Sequence, residues 1–151
     1  MPDTKAAFHE ARRVLREGGV LLFNVWDGLE NNPHGRVAEQ VLSRRFPDDP
    51  AMKAGSMPYQ FNDRAAISGM LGDARFGQVR MEPVRLDCSA PSARDFATGQ
   101  LRGTPRAGLI EQRGADLEPV IDEVTQGLAR VGGEKPFRYT PQALVVEARA
   151  V

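Results

Sequence analysis

One stretch near the start of the chain constrains the fold more than any other. Glu10-Ala11-Arg12-Arg13-Val14-Leu15-Arg16-Glu17-Gly18-Gly19 runs directly into Val20-Leu21-Leu22-Phe23-Asn24-Val25-Trp26-Asp27. Ala7, Phe8, Ala11, Val14 and Leu15 follow the spacing that gathers an apolar stripe on one side of a helix. Asp3 is the expected N-cap. Gly18 is the expected stop, because a residue without a β-carbon takes positive φ readily. The period then changes. Val20 to Trp26 is apolar at every position but Asn24, which predicts a strand covered on both faces, as inside an α/β sheet.

Composition narrows the class. At 151 residues and 41% hydrophobic content, the chain has the size and apolar material of one domain with a core. Lys plus Arg and Asp plus Glu number 20 each, so no net field attracts nucleic acid or an anionic membrane. The pairs Arg12-Arg13 and Arg44-Arg45 fit solvated helix faces. Cys88 is the one cysteine and forms no internal disulfide, which suits a reducing compartment and a small core residue better than a nucleophile. No apolar run reaches the roughly 20 residues that cross a bilayer, and the start lacks a signal-like apolar region, so a cytoplasmic location is expected.

Further along, Asp27 to Gly35 holds Gly, Asn and Pro and predicts a loop at the carboxyl end of a strand, where ligands gather in open α/β sheets. Gly35 to Phe46 predicts a second helix, ended by Pro47 and Pro50. The segment from Phe46 through Met57-Pro58-Tyr59 has no period and reads as an irregular lid or linker. Asn62 or Asp63 caps a third helix with Ala66, Ile67, Met70, Leu71 and Ala74 on its apolar side. A strand is expected from Val79 to Cys88. Its apolar phase shifts by one at Pro83, which suggests a bulge and an edge position. Ser92 with Asp95 has the form of a capping box. Asp116 caps a longer helix carrying Leu117, Val120, Ile121, Val124, Leu128 and Val131, which Gly132-Gly133 stops. The final run from Ala143 to Ala150 predicts an inner strand.

Glu10, Arg13, Val14, Leu15, Gly18 and Gly19 also form a pattern that resembles the helix before the fifth strand of class I S-adenosylmethionine-dependent methyltransferases, in particular the type 11, ubiquinone/menaquinone-biosynthesis-like group. Glu17 stands where that group usually has proline, and Arg75 where it typically has glycine. Phe46-Pro47-Asp48-Asp49-Pro50, Ala90 to Asp95 and Gly103-Thr104-Pro105 are similar to segments the group carries around its substrate lid. The resemblance implies an α/β fold class, α+β in this fragment. It implies the C-terminal part of a Rossmann-like methyltransferase sheet in three strands: an inner first strand, a bulged edge strand and an antiparallel inner last strand, with about five helices. The whole chain, 1-151, would be one domain, the acceptor-side part of the fold. Met1-Pro2-Asp3 would follow the family's fourth strand, and the cofactor-binding half would lie upstream.

The resemblance implies S-adenosylmethionine as cofactor of the complete protein and a small-molecule methyl acceptor. For this chain alone it implies no cofactor, because the glycine-rich turn after a first strand and the acidic residue after a second are not in the sequence. Gly18-Gly19 precedes a strand and is on the wrong side for such a turn. Trp26, Asp27, Tyr59, Thr104 and Arg106 are the residues expected near an acceptor. Residues such as Trp26 and Tyr59 more often serve in core or rim packing, and one such as Arg106 as a surface charge. No catalytic residue stands out. His9 and His34 have no partners at metal-ligand spacing, so no metal site is expected. The open edge of Val20 to Trp26 predicts a homodimer through that edge or through the first helix. Three readings stay open: the fragment of a methyltransferase, a non-catalytic dimerising α+β interaction domain, and a subunit completed by a separate chain.

Overall fold

The computed structural model describes residues 3–53 and 58–151. In chain order the elements are α1 (Thr4–Val14), β1 (Val20–Trp26), α2 (Pro33–Arg45), α3 (Pro50–Lys53), α4 (Arg64–Asp73), β2 (Phe76–Arg85), β3 (Cys88–Ala90), α5 (Ala93–Arg102), α6 (Arg106–Gln112), α7 (Leu117–Gly132), β4 (Phe137–Tyr139) and β5 (Gln142–Ala150). Seven helices and five strands among the described residues replace the expected five and three. The additional elements, α3, α6, β3 and β4, are too short for their side-chain period to show in sequence. Met1 and Pro2 lie outside the described residues, as do residues 54–57 of the expected lid.

The chain divides into two compact units. The first comprises Met1–Asp27, Tyr59–Val84 and Gln142–Val151. Asp3 caps α1 by accepting from the Ala6 amide at 3.1 Å. The helix ends at Val14, earlier than Gly18 suggests. Gly18 has φ 73° and donates to the Ala150 carbonyl at 2.9 Å, so it shapes the entry to β1 rather than the helix end itself. The strand order is β1-β5-β2. β5 runs antiparallel to β1 from Val20 opposite Arg149 to Trp26 opposite Ala143. The last strand is therefore the inner one, and β2 is at an edge, as the sequence predicts.

Leu21, Phe23 and Val25 of β1 share a face with Leu144, Val146 and Ala148 of β5. Phe8, Ile67 and Leu71, from α1 and α4, join Phe23 and Val146 in one core, with the Phe8 and Phe23 ring centroids 5.4 Å apart. The opposite face corrects the expectation of a doubly covered strand. Val20, Leu22 and Trp26 are 42%, 65% and 39% exposed, and β1 is an edge of this sheet rather than an inner strand. An unbroken apolar run reports what a strand is able to bury, not whether both layers are present.

β2 begins three residues before the expected start and ends at Arg85. Val79 and Met81 pack on the core, but Val84 and Leu86 are exposed, so the phase change at Pro83 does not return apolar side chains to it. Cys88 belongs to a separate strand, β3, in a two-stranded sheet with β4. At the α4–β2 turn Arg75 has φ 63°, the left-handed conformation that favours glycine.

The second unit comprises Gly28–Pro58 and Arg85–Pro141. Pro33 at the first turn starts α2 two residues before the expected position, a place where its missing N–H costs little. Asp63 caps α4 in the first unit, and Asp116 caps α7 here, accepting from the Glu118 amide at 3.0 Å. The Ser92 hydroxyl accepts from the Asp95 amide at 3.0 Å, the N-cap bond expected, and donates to the Asp95 carboxylate at 2.7 Å, a side-chain contact rather than the backbone N–H bond of a full capping box. Leu117, Val120, Ile121, Val124 and Leu128 are buried against α2 and α5 residues. Val131 is 42% exposed. α7 ends at Gly132, where an added Cβ would lie 1.8 Å from the Arg138 carbonyl, so only glycine lets the helix approach β4 this closely.

Arg75→Gly is expected to stabilise the protein by up to about 1 kcal/mol, because glycine relieves the left-handed strain. Gly132→Ala is expected to cost about 1–3 kcal/mol through overpacking. Urea unfolding of the two variants checks both signs.

Candidate functional site

β1 ends at Trp26, and Asp27 follows it at the strand end where open α/β sheets place ligand groups. Asp27 is buried. Its carboxylate accepts a hydrogen bond from the Gln142 side-chain amide, and its own amide donates to the Gln142 carbonyl at 3.1 Å. The Trp26 ring is half-open to solvent and its centroid is 6.2 Å from that of Tyr59. Three of the five expected acceptor residues thus gather in the first unit. Gln142, which holds the carboxylate, carries no signal in the sequence: a glutamine at a strand start is ordinary until its register is known.

Thr104 and Arg106 belong to the other unit and have local partners. The Thr104 hydroxyl donates to the carbonyls of Gln100 and Leu101 at 3.1 and 3.2 Å and closes the end of α5. Arg106 is buried, 6% exposed, and its guanidinium pairs with Glu39. This corrects its reading as a surface charge: the pair ties α6 to α2. Burial pushes the Glu39 carboxyl above its usual range, while Arg106 pulls it back. Removing one member of such a pair strands the other, at a cost of about 3–5 kcal/mol, whereas replacing both with apolar groups is often neutral. Arg106→Leu alone is therefore expected to be more destabilising than Arg106→Leu combined with Glu39→Leu, measured by thermal unfolding.

The second unit holds a cavity of 560 Å³ lined by Pro33, Asp87, Cys88, Ser89, Val131, Arg138, Tyr139 and Thr140. It sits at one end of the β3–β4 ribbon, where Cys88 pairs with Tyr139 and Ser89 with Arg138. Aromatic rings support that end. The His34 centroid is 5.0 Å from Tyr139 and 6.0 Å from Phe96, and Phe96 is 5.0 Å from Phe137. Burial raises the Tyr139 hydroxyl above its usual range, with Cys88 adding to the effect, so the hydroxyl stays protonated at neutral pH. Cys88 is half-buried at the cavity wall rather than in the core. Sequence reasoning missed this group because β3 and β4 are three residues each and pair across a separation of 47 positions from Ala90 to Phe137.

His34 is 4% exposed, and its Nδ1 has no hydrogen-bond partner among the described residues. Burial depresses its pKa below the ordinary 6.5. The unfolded chain then binds a proton that the folded one refuses. Stability from this residue is complete above 6.5 and is lost as pH falls below it. His34→Phe is expected to flatten that part of the stability–pH curve, read from urea midpoints at a series of pH values.

No protein-family model and no curated protein matches the chain. Among solved structures it is similar to the YcgJ protein of Bacillus subtilis, with 11% identity and a TM-score of 0.49 over 99% of this chain and 58% of that one. It is also similar to a candidate methyltransferase of Bacillus halodurans, with 15% identity and a TM-score of 0.49 over 99% of this chain and 63% of that one. A third is a Haemonchus contortus phosphoethanolamine N-methyltransferase in complex with phosphomonomethylethanolamine and S-adenosylhomocysteine. There the identity is 13% and the TM-score 0.41, over 98% of this chain and 30% of that one. The chain thus spans less than two thirds of each of these proteins.

β1 is followed by Asp27 and Gly28 without a glycine-rich turn, and a Cβ on Gly28 would meet the Glu30 carboxylate at 2.2 Å. Among the described residues no three or more His, Cys, Asp or Glu side chains converge as metal ligands, and no helix is long and apolar enough to cross a membrane.

Proposed function

We propose that the chain is the C-terminal, acceptor-side part of a class I S-adenosylmethionine-dependent methyltransferase of the type 11, ubiquinone/menaquinone-biosynthesis-like group. The observation that carries this reading is the strand order β1-β5-β2, with the last strand inserted antiparallel beside the first. The Glu10 to Gly19 pattern leads into that first strand. Methyl transfer rests chiefly on in-line positioning of acceptor and sulfonium in a dry site, so it needs few acids or bases. Trp26, Asp27 and Tyr59 at the end of β1 are suited to the rim of an acceptor site. The cofactor belongs to the complete protein, and this chain alone is inactive.

A second reading is a non-catalytic interaction domain that dimerises through β1 or α1. Val20, Leu22 and Trp26 on the open face of β1 favour it, and so does the absence of charge along that strand.

Calorimetric titration of the chain with S-adenosylhomocysteine is expected to give no heat. A chain extended by what its gene encodes in frame upstream of Met1 is expected to bind. Micromolar binding by the chain alone would sink the fragment reading. Light scattering at micromolar protein concentration is expected to give the mass of a dimer, and a monomer would remove the second reading.

A further inference from the structure

The cavity of the second unit has a charge pattern that its packing does not use. Arg138 and Asp87 both line it, and they form no ion pair with each other or with any other described residue. Arg94, Arg102, Arg106 and Arg113 of the same unit are each held by a carboxylate. Ser89 is directly opposite Arg138 in the ribbon, so hydroxyl and guanidinium leave the same face as cross-strand neighbours. One oxygen of Asp87 accepts from the Thr140 hydroxyl at 2.9 Å, which orients the carboxylate and leaves its second oxygen for another donor. Two opposite charges that share one wall without touching are the complement of a molecule that carries both.

We propose that this cavity binds a small dipolar molecule, with its anionic group on Arg138 and Ser89 and its ammonium or other donor group on Asp87. A guanidinium beside a hydroxyl suits a carboxylate or phosphate oxygen pair. The volume of 560 Å³ is that of a small-molecule site. Tyr139 and Cys88 line the same wall. The site stands on the second unit alone, so it holds or fails independently of the methyltransferase reading.

The test is an amide-resolved NMR titration of the full chain with glycine, β-alanine and 4-aminobutyrate, which carry the same two charges at increasing separation. Propionate and propylamine serve as the single-charge counterparts. The expected result is that one dipolar compound shifts the amides of Ser89 and Arg138 and binds at least about tenfold more tightly than either counterpart. Arg138→Gln and Asp87→Asn are each expected to weaken it by about tenfold or more. Both positions are exposed, and the dispersion of the remaining signals reports that the variants fold. Propionate binding as well as the dipolar compounds, indifference to both substitutions, or no response to any of the three would each overturn the proposal.

Discussion

The first unit is held together by the pairing of β5 with β1. β5 is last in the order of the described strands, yet it occupies the inner position, and through it the α1–β1 segment and the α4–β2 segment share one core. Leu144, Val146 and Ala148 are fully buried because they have strand neighbours on both sides and helices above them. A one-residue slip in the Val20–Arg149 register would turn those three side chains to the open face and bring Arg149 and Glu147 inward. The register also sets Gln142 against Asp27, so the polar contact at the strand end follows from the same alignment.

Where side chains repeat over several turns, the fold was legible in the sequence. α7 shows five buried residues at helical spacing, and Asp3, Asp63, Ser92 and Asp116 each cap the helix they precede. Short elements left no such trace. β3 and β4 are three residues each and become a sheet only because distant parts of the chain meet. The apolar strand β1 was legible as a strand but not as an open one, because hydrophobicity is a property of the residue and coverage is a property of its neighbours.

The candidate site divides along the same line. The placement of Trp26 and Asp27 at a strand end is visible in sequence. Arg106 is misjudged, because an arginine after a Thr-Pro pair gives no sign of the carboxylate that buries it. Glu39 is 67 residues away. The cavity at Arg138 and Asp87 depends on a cross-strand register that no local pattern encodes.

The order of the segments along the chain also bears on synthesis. Every segment of the second unit precedes Gln142, while the first unit stays incomplete until its last strand is made. On the ribosome the second unit is able to close first. During that interval β1 waits with both of its edges unpaired. The nine residues of β5 act as a latch that ends the period of greatest vulnerability to wrong strand partners, so deleting them should harm the nascent chain more than their small number suggests.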